Sequence, residues 1–160
     1  MGTRIDHTVH YPRPAAAVRG AFVSETYWTE RLDEVGGPGA RLVGISGTDP
    51  ARVEMIQVIA EEDLPDAIRK IRKGDLIIHR TENWSATAGT YLAVVEGAPV
   101  KIHGTVRLTE EAGGCVSRME GEVEVDVPLF GRKIEKGVAE RLTELFQHED
   151  EFTINWLTQH

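Results

Sequence analysis

Few side chains in this 160-residue sequence could do chemistry, and none sits in a spacing that a known reaction requires. No nucleophile elbow, phosphate loop, HExxH helix or zinc-type Cys/His spacing occurs. Gly36-Gly37-Pro38-Gly39 lacks the strand-loop-helix setting of a nucleotide fingerprint and reads as a connector. Cys115 lies beside a turn with nothing near it to depress a thiol pKa, so it reads as inert. Among the six histidines, His10 and His103 fall on wet strand faces. His148, Glu149 and Glu151 spread around a helix and do not converge on a metal. Neither a metal nor a cofactor is expected.

Two residues stand apart. His7 shares its strand face with Ile5, Val9 and Tyr11, so its imidazole is either hydrogen-bonded in the core or in contact with a ligand. Glu149 falls within the apolar stripe of a long helix, where a carboxylate must be paired, hydrated or neutralised. One reading is that the helix overhangs the sheet there and Glu149 reaches water or an arginine. The other puts Glu149 inside a cavity as a polar anchor or acid with a raised pKa.

The elements that must position these residues follow from periodicity. Arg4 to Tyr11 alternates as a half-buried strand and is closed by Pro12 and Pro14. Ala15 to Val35 turns helical, with Gly20 and Ser24-Glu25-Thr26 dividing it into two short helices. Strands are expected near Ala40–Ser46 and Arg52–Ala60, then a short helix near Leu64–Lys73 with Pro65 in its first turn and Gly74 beyond its end. Further strands are read at Leu76–Trp84, Thr87–Val95 and Val100–Thr109. In the last hairpin Val100, Ile102, Gly104, Val106 and Leu108 form one dry face, and Met119, Gly121, Val123, Val125 and Val127 the other. Bases on the first wet face oppose acids on the second, so the acidic run is a solvated strand face. A helix from Phe130 to Leu157, on the order of 40 Å long, carries a stripe of Ile134, Val138, Leu142, Leu145, Phe152 and Trp156. A sheet with one wet face needs a cover, and this helix supplies it.

Composition narrows the function. A net charge of −8 argues against nucleic acid, whose affinity rests on neutralising phosphates. The run Arg69, Lys70, Arg72 and Lys73 reads as a solvated helix face. Asn83-Trp84-Ser85 matches a glycosylation sequon, treated as chance without a secretory signal. No apolar stretch spans a membrane, the N-terminus lacks a signal-peptide core, and Asp6 breaks the myristoylation pattern. One cysteine fits a reducing compartment, and the cytoplasm is the expected location.

The order of elements resembles the START-like superfamily, the helix-grip fold of lipid-transfer domains, polyketide cyclase-like proteins and plant pathogenesis-related allergens. The segments VPLFGRKIEKGV (Val127 to Val138), DLPDAIRKIRKGD (Asp63 to Asp75) and HEDEFTINWL (His148 to Leu157) resemble a bacterial family of unknown function within it. The resemblance implies an α+β domain over residues 1–160: a curved antiparallel sheet of about seven strands around the long helix, enclosing a cavity for an apolar ligand. With His7 and Glu149, the candidate lining is Trp28, Met55, Trp84 and Tyr91, then Leu142 and Phe146 on the helix. The strand phase around Met55 and Trp84 stays open. Gly104 and Gly121 either let the sheet bend or leave volume for the ligand. The leading expectation is binding of an apolar small molecule or lipid without catalysis. The alternatives are a cyclase or dehydratase using His7, Tyr91 and Glu149, and a protein-interaction module resembling the co-chaperones of the fold.

Overall fold

A computed structural model describes residues 2–64, 66–70 and 73–160. Strand β1 (Thr3–Tyr11) is followed by helices α1 (Ala15–Phe22) and α2 (Glu25–Val35), then β2 (Arg41–Ser46) and β3 (Ala51–Ile59). A 3₁₀ turn (Glu61–Asp63) and the short helix α3 (Asp66–Arg69) lead into β4 (Leu76–Trp84), β5 (Ala88–Val95), β6 (Val100–Glu111) and β7 (Gly114–Val125). Helix α4 (Gly131–Gln159) ends the chain. The strands form one sheet in the order β1-β7-β6-β5-β4-β3-β2, every neighbouring pair antiparallel. This is the expected α+β helix-grip arrangement. No described helix is long and apolar enough to cross a membrane.

Local chemistry sets the boundaries. Pro14 precedes α1, where its fixed φ starts a helix, and the Ser24 hydroxyl caps α2 by accepting from the Tyr27 N–H at 3.3 Å. Among the described residues of the insertion α3 covers Asp66–Arg69, and Leu64, Lys70 and Lys73 lie outside it. Glu61 N–H donates to Asp75 at 2.9 Å and Gly74 N–H donates to the Glu61 carboxylate, pinning the two ends of the insertion together. Pro65 and Arg72, read above as part of a longer helix, lie outside the described residues.

The β6–β7 hairpin has the expected phase. Lys101 faces Glu124 and His103 faces Glu122 across its wet side, while Val100, Ile102 and Val123 are buried. Gly104 and Gly121 sit directly opposite one another. A Cβ at Gly121 would lie 2.3 Å from the His103 carbonyl oxygen, and one at Gly104 would lie 2.6 Å from that of Glu120. The pair therefore serves close backbone approach where the sheet coils, and the space a side chain would fill is already taken by backbone.

Along α4 the buried line runs Ile134, Leu142, Phe146, Glu149, Thr153 and Leu157. Phe152 and Trp156, read as part of the stripe, are only partly buried and pack instead against Tyr27 of α2, tilted and edge-on with ring centroids 5.7 and 5.5 Å away. Helix α2 thus covers a second flank of α4, and the apolar surface of that helix is wider than one stripe. The stripe correctly passes through Glu149, and no overhang exposes it.

Candidate functional site

The inner face of β4 reads Leu76, Ile78, Arg80, Glu82 and Trp84, all buried. Strand alternation thus carries two opposite charges inward in the same phase as the apolar residues around them. Helix α4 brings Glu149 against them at 4% exposure, and α2 contributes the equally buried Arg31. One Glu149 oxygen meets Arg31 Nη2 at 2.5 Å. The other accepts from Arg80 Nη1 at 2.8 Å and from Gln57 Nε2 at 3.0 Å. Arg80 also holds Glu82 at 2.6 Å, and the Trp84 indole N–H donates to Glu82 at 2.8 Å.

Hydroxyls complete the cluster. Thr153 Oγ1 donates to the Glu149 carbonyl at 2.8 Å, so at the 2.6 Å contact between them Tyr27 is the donor and Thr153 the acceptor. Arg31 Nη1 in turn donates to the Tyr27 oxygen at 3.0 Å. The guanidinium carbons lie 4.4 Å over Trp28 for Arg31 and 4.5 Å over Tyr91 for Arg80. Two arginines balance two glutamates, which is how buried charge becomes tolerable.

The electrostatics follow from that pairing. Burial pushes the Glu149 pKa up, but Arg31 and Arg80 outweigh it and hold the carboxylate at about 2. Burial opposes the charge on both arginines, and Glu149 more than compensates, leaving them raised. Burial drives the Tyr91 phenol to about 12 even beside Arg80, so it keeps its proton. Glu149 is therefore a fixed anion, the reverse of the raised-pKa acid considered from sequence.

His7 and Asp150 form the rim. Their Nε2 and Oδ2 atoms are 2.6 Å apart, with both side chains 19% exposed. The hydrogen bond to Asp150 raises the His7 pKa against the effect of burial. Burial also raises Asp150 despite its partner, which works against full ionisation of the pair. From ordinary values of 6.5 and 3.8, imidazole stays the stronger base, so we assign the proton to His7 Nε2 and treat the two as one titrating unit. The His7 ring lies 5.2 Å from that of Phe146, which meets Tyr91 edge-on at 6.1 Å.

Two voids flank this arrangement. One, about 60 Å³, is lined by His7, Tyr11, Arg31, Arg80, Tyr91, Phe146, Glu149 and Asp150. The buried Arg31 Nε has no acceptor there. The other, about 50 Å³, is wholly apolar at its core and is lined by Ile78, Ile102, Ile134, Val138, Leu142 and Leu145. Each has room for a few waters rather than a bulky ligand. A larger concavity of about 790 Å³ opens on the outer sheet face around Asn83, Thr105, Arg107 and Arg118. It is open to solvent and carries none of the buried charge, so the interior is the better candidate.

Of the residues singled out from sequence, the structure gathers His7, Trp84, Tyr91, Phe146 and Glu149 around the polar void, and Leu142 beside the apolar one. Trp28 is in the core under Arg31, and Met55 is buried among the aromatic residues of α1 and α2; neither lines either void. Gly104 and Gly121 line neither as well. The residues not foreseen are Arg31, Gln57, Arg80, Glu82 and Asp150. Arg80 and Glu82 were visible as charges in phase with Leu76, Ile78 and Trp84; Arg31 and Asp150 declare themselves only once the helices are docked.

The chain matches the family described as "Protein of unknown function (DUF2505)" over residues 6–157. It belongs to that family. Within reach of it is "Uncharacterized protein Rv0481c" of Mycobacterium tuberculosis, 30% identical over 172 aligned residues that cover 99% of this chain and 98% of the relative. Solved structures share the fold at low identity. Protein Ms6760 from Mycobacterium smegmatis aligns with a TM-score of 0.66 at 12% identity, covering 98% of this chain and 91% of that one. Ara h 8.0201 aligns at 0.60 and 12%, covering 97% and 99%. The di-domain ARO/CYC StfQ from the steffimycin biosynthetic pathway aligns at 0.61 and 10%, covering 98% of this chain and 51% of that one. These likenesses show that the chain shares the helix-grip fold of those proteins, and they speak to fold alone.

Proposed function

We propose that the protein binds a small, largely apolar molecule that carries an oxygen-bearing group, held between the sheet and α4. One observation supports this most: a charge-balanced cluster, fully buried, borders a void lined by the half-buried His7 and by Arg31, whose Nε has no hydrogen-bond partner. A ligand oxygen would satisfy that donor, and the apolar void one to two helical turns away, at Leu142 and Leu145, would take the rest of the molecule. Phe146 and Tyr91 stand beside the polar void, so uptake requires them to change rotamer. A dye of the anilinonaphthalene sulfonate type offers a test. Wild type should enhance its fluorescence, and Leu142→Trp, which fills the apolar void, should lower uptake several-fold while the protein stays folded. Equal uptake by both, or none by wild type, contradicts the reading.

A second reading, proton transfer on a bound substrate, rests on the His7–Asp150 pair. Glu149 is locked as an anion and Tyr91 as a phenol, so of the three groups considered from sequence only His7 retains a titration useful near neutrality. Its Nδ1 has no hydrogen-bond partner among the described residues. Loss of turnover in His7→Gln with ligand uptake unchanged is the result that favours this reading over simple binding.

A further inference from the structure

Three locally unfavourable choices coincide where β7 passes into α4. Leu129 is 98% exposed and Phe130 is 60% exposed, side by side. Leu129 also holds φ at 71°, the only positive φ among described non-glycine residues, where a leucine is strained and a glycine would not be. Immediately after them Arg132, Lys133 and Lys136 lie exposed in the first turns of α4, with no acidic residue in the opening turn. That is the positive end of the helix dipole, the wrong end for cations.

The nearest acid on the helix does not offset these bases. Glu135 is 4% exposed and turned inward, accepting from Val125 N–H at 3.0 Å and from the Thr3 hydroxyl at 2.9 Å. On the strand side Asp126 is exposed just before the tip, while Glu122 and Glu124, farther back on β7, lie against His103 at 3.8 and 3.1 Å. A basic, apolar-tipped corner therefore stands on a protein whose net charge is −8.

We propose that Pro128 to Phe130, with Arg132, Lys133 and Lys136, docks the protein reversibly on an anionic lipid surface. Each unfavourable feature becomes favourable there. Leu129 and Phe130 enter the headgroup–acyl boundary, and the three bases meet lipid phosphates. The strained φ holds the leucine outward, where only an apolar medium rewards it. Charge complementarity selects a bilayer over a second copy of this chain, whose surface is net acidic. The site also lies at the end of the apolar void, because Ile134 lines that void and its N–H donates to the Phe130 carbonyl at 3.1 Å. Docking does not depend on the ligand reading above, and either can fail alone.

Co-sedimentation tests it with phosphatidylcholine vesicles, with and without one-third phosphatidylglycerol. Wild type should pellet with the anionic vesicles, far less with neutral ones, and be released by high salt. Leu129→Ser combined with Phe130→Ser should weaken binding at least about tenfold, and Arg132→Glu with Lys133→Glu by about tenfold or more. All four positions are exposed, so both variants should keep the wild-type circular dichroism and urea midpoint. The proposal is overturned if wild type ignores anionic vesicles or if the serine variant binds them as wild type does. It is equally overturned if wild type is a dimer that the serine variant makes monomeric without any lipid binding, since a second copy then covers the tip.

Discussion

The two halves of the interior along α4 are built from the same helix and the same strand, yet they are unlike materials. Toward the N-terminal half, Ile134, Val138, Leu142 and Leu145 lie over Leu76, Ile78, Val95 and Ile102, and apart from Arg141 every residue lining the space between is apolar. Farther along the helix, Glu149 and Asp150 meet Arg80, Arg31 and His7. An apolar wall loses stability gradually as methylenes are removed, because neighbours relax into the space. A paired ionic cluster does not relax: deleting one member strands the charge of another. The polar half is thus a rigid, preformed anchor, and the apolar half is the part that can yield.

The sharpest way to break that contrast is Glu149→Leu. It leaves Arg31 and Arg80 without their shared anion and should cost about 3–5 kcal/mol in urea unfolding, whereas Leu142→Ala should cost about 2–4 kcal/mol. Adding Arg31→Met to Glu149→Leu should recover part of the loss, a coupling that a merely packed interior would not show.

The halves should also differ in pH response. The Glu149 pKa falls from 4.5 unfolded to about 2 folded. Its contribution to stability is therefore complete above about 4.5 and is lost as pH drops toward 2. His7 is raised above 6.5, so its contribution is complete below that value and is lost as pH climbs through the folded pKa. Asp150, raised from 3.8, acts in the same sense as His7 at lower pH and partly offsets the acid loss. Urea midpoints from pH 2 to 9 should fall at both ends, and His7→Gln should flatten the alkaline side only. A His7→Gln profile that keeps its alkaline decline contradicts the pairing.

Smaller effects test the scaffold that holds both halves. Gly121→Ala should cost about 1–3 kcal/mol by forcing the Cβ against the β6 backbone, with no gain or loss of dye uptake beyond the stability change. Glu122→Lys, on the wet side of the same hairpin, should cost less than about 1 kcal/mol. A Gly121→Ala protein as stable as wild type would reopen the cavity role for the glycine pair.

Much of this was legible in the residues. Alternation in β1 and β6–β7 gave strand phase, and proline, glycine and serine marked most boundaries. His7 and Glu149 were conspicuous as polar residues on dry faces. Their partners were not, because pairing between Glu149 and Arg31 joins elements more than a hundred residues apart and depends on how α2 docks. Arg80 and Glu82 were visible in phase with Leu76, Ile78 and Trp84 yet not readable as a site, because an inward charge on a strand is indistinguishable from a phase error until its counter-ion is located. Of the two readings of Glu149, pairing with arginine is the one found, without the overhang; the raised-pKa acid fails, since burial alone raises a carboxylate and the arginines reverse it.

The central claim is that this divided interior holds a small molecule, and the direct measurement is mass spectrometry of an organic extract of the protein purified from its own host. We expect one compound, or one narrow class, at a sizeable fraction of the protein's molar amount, apolar over most of its length with an oxygen-bearing end. It should be depleted in Leu142→Trp purified alongside. An extract with no enriched compound, together with failure of wild type to take up an apolar reporter dye, would contradict the claim.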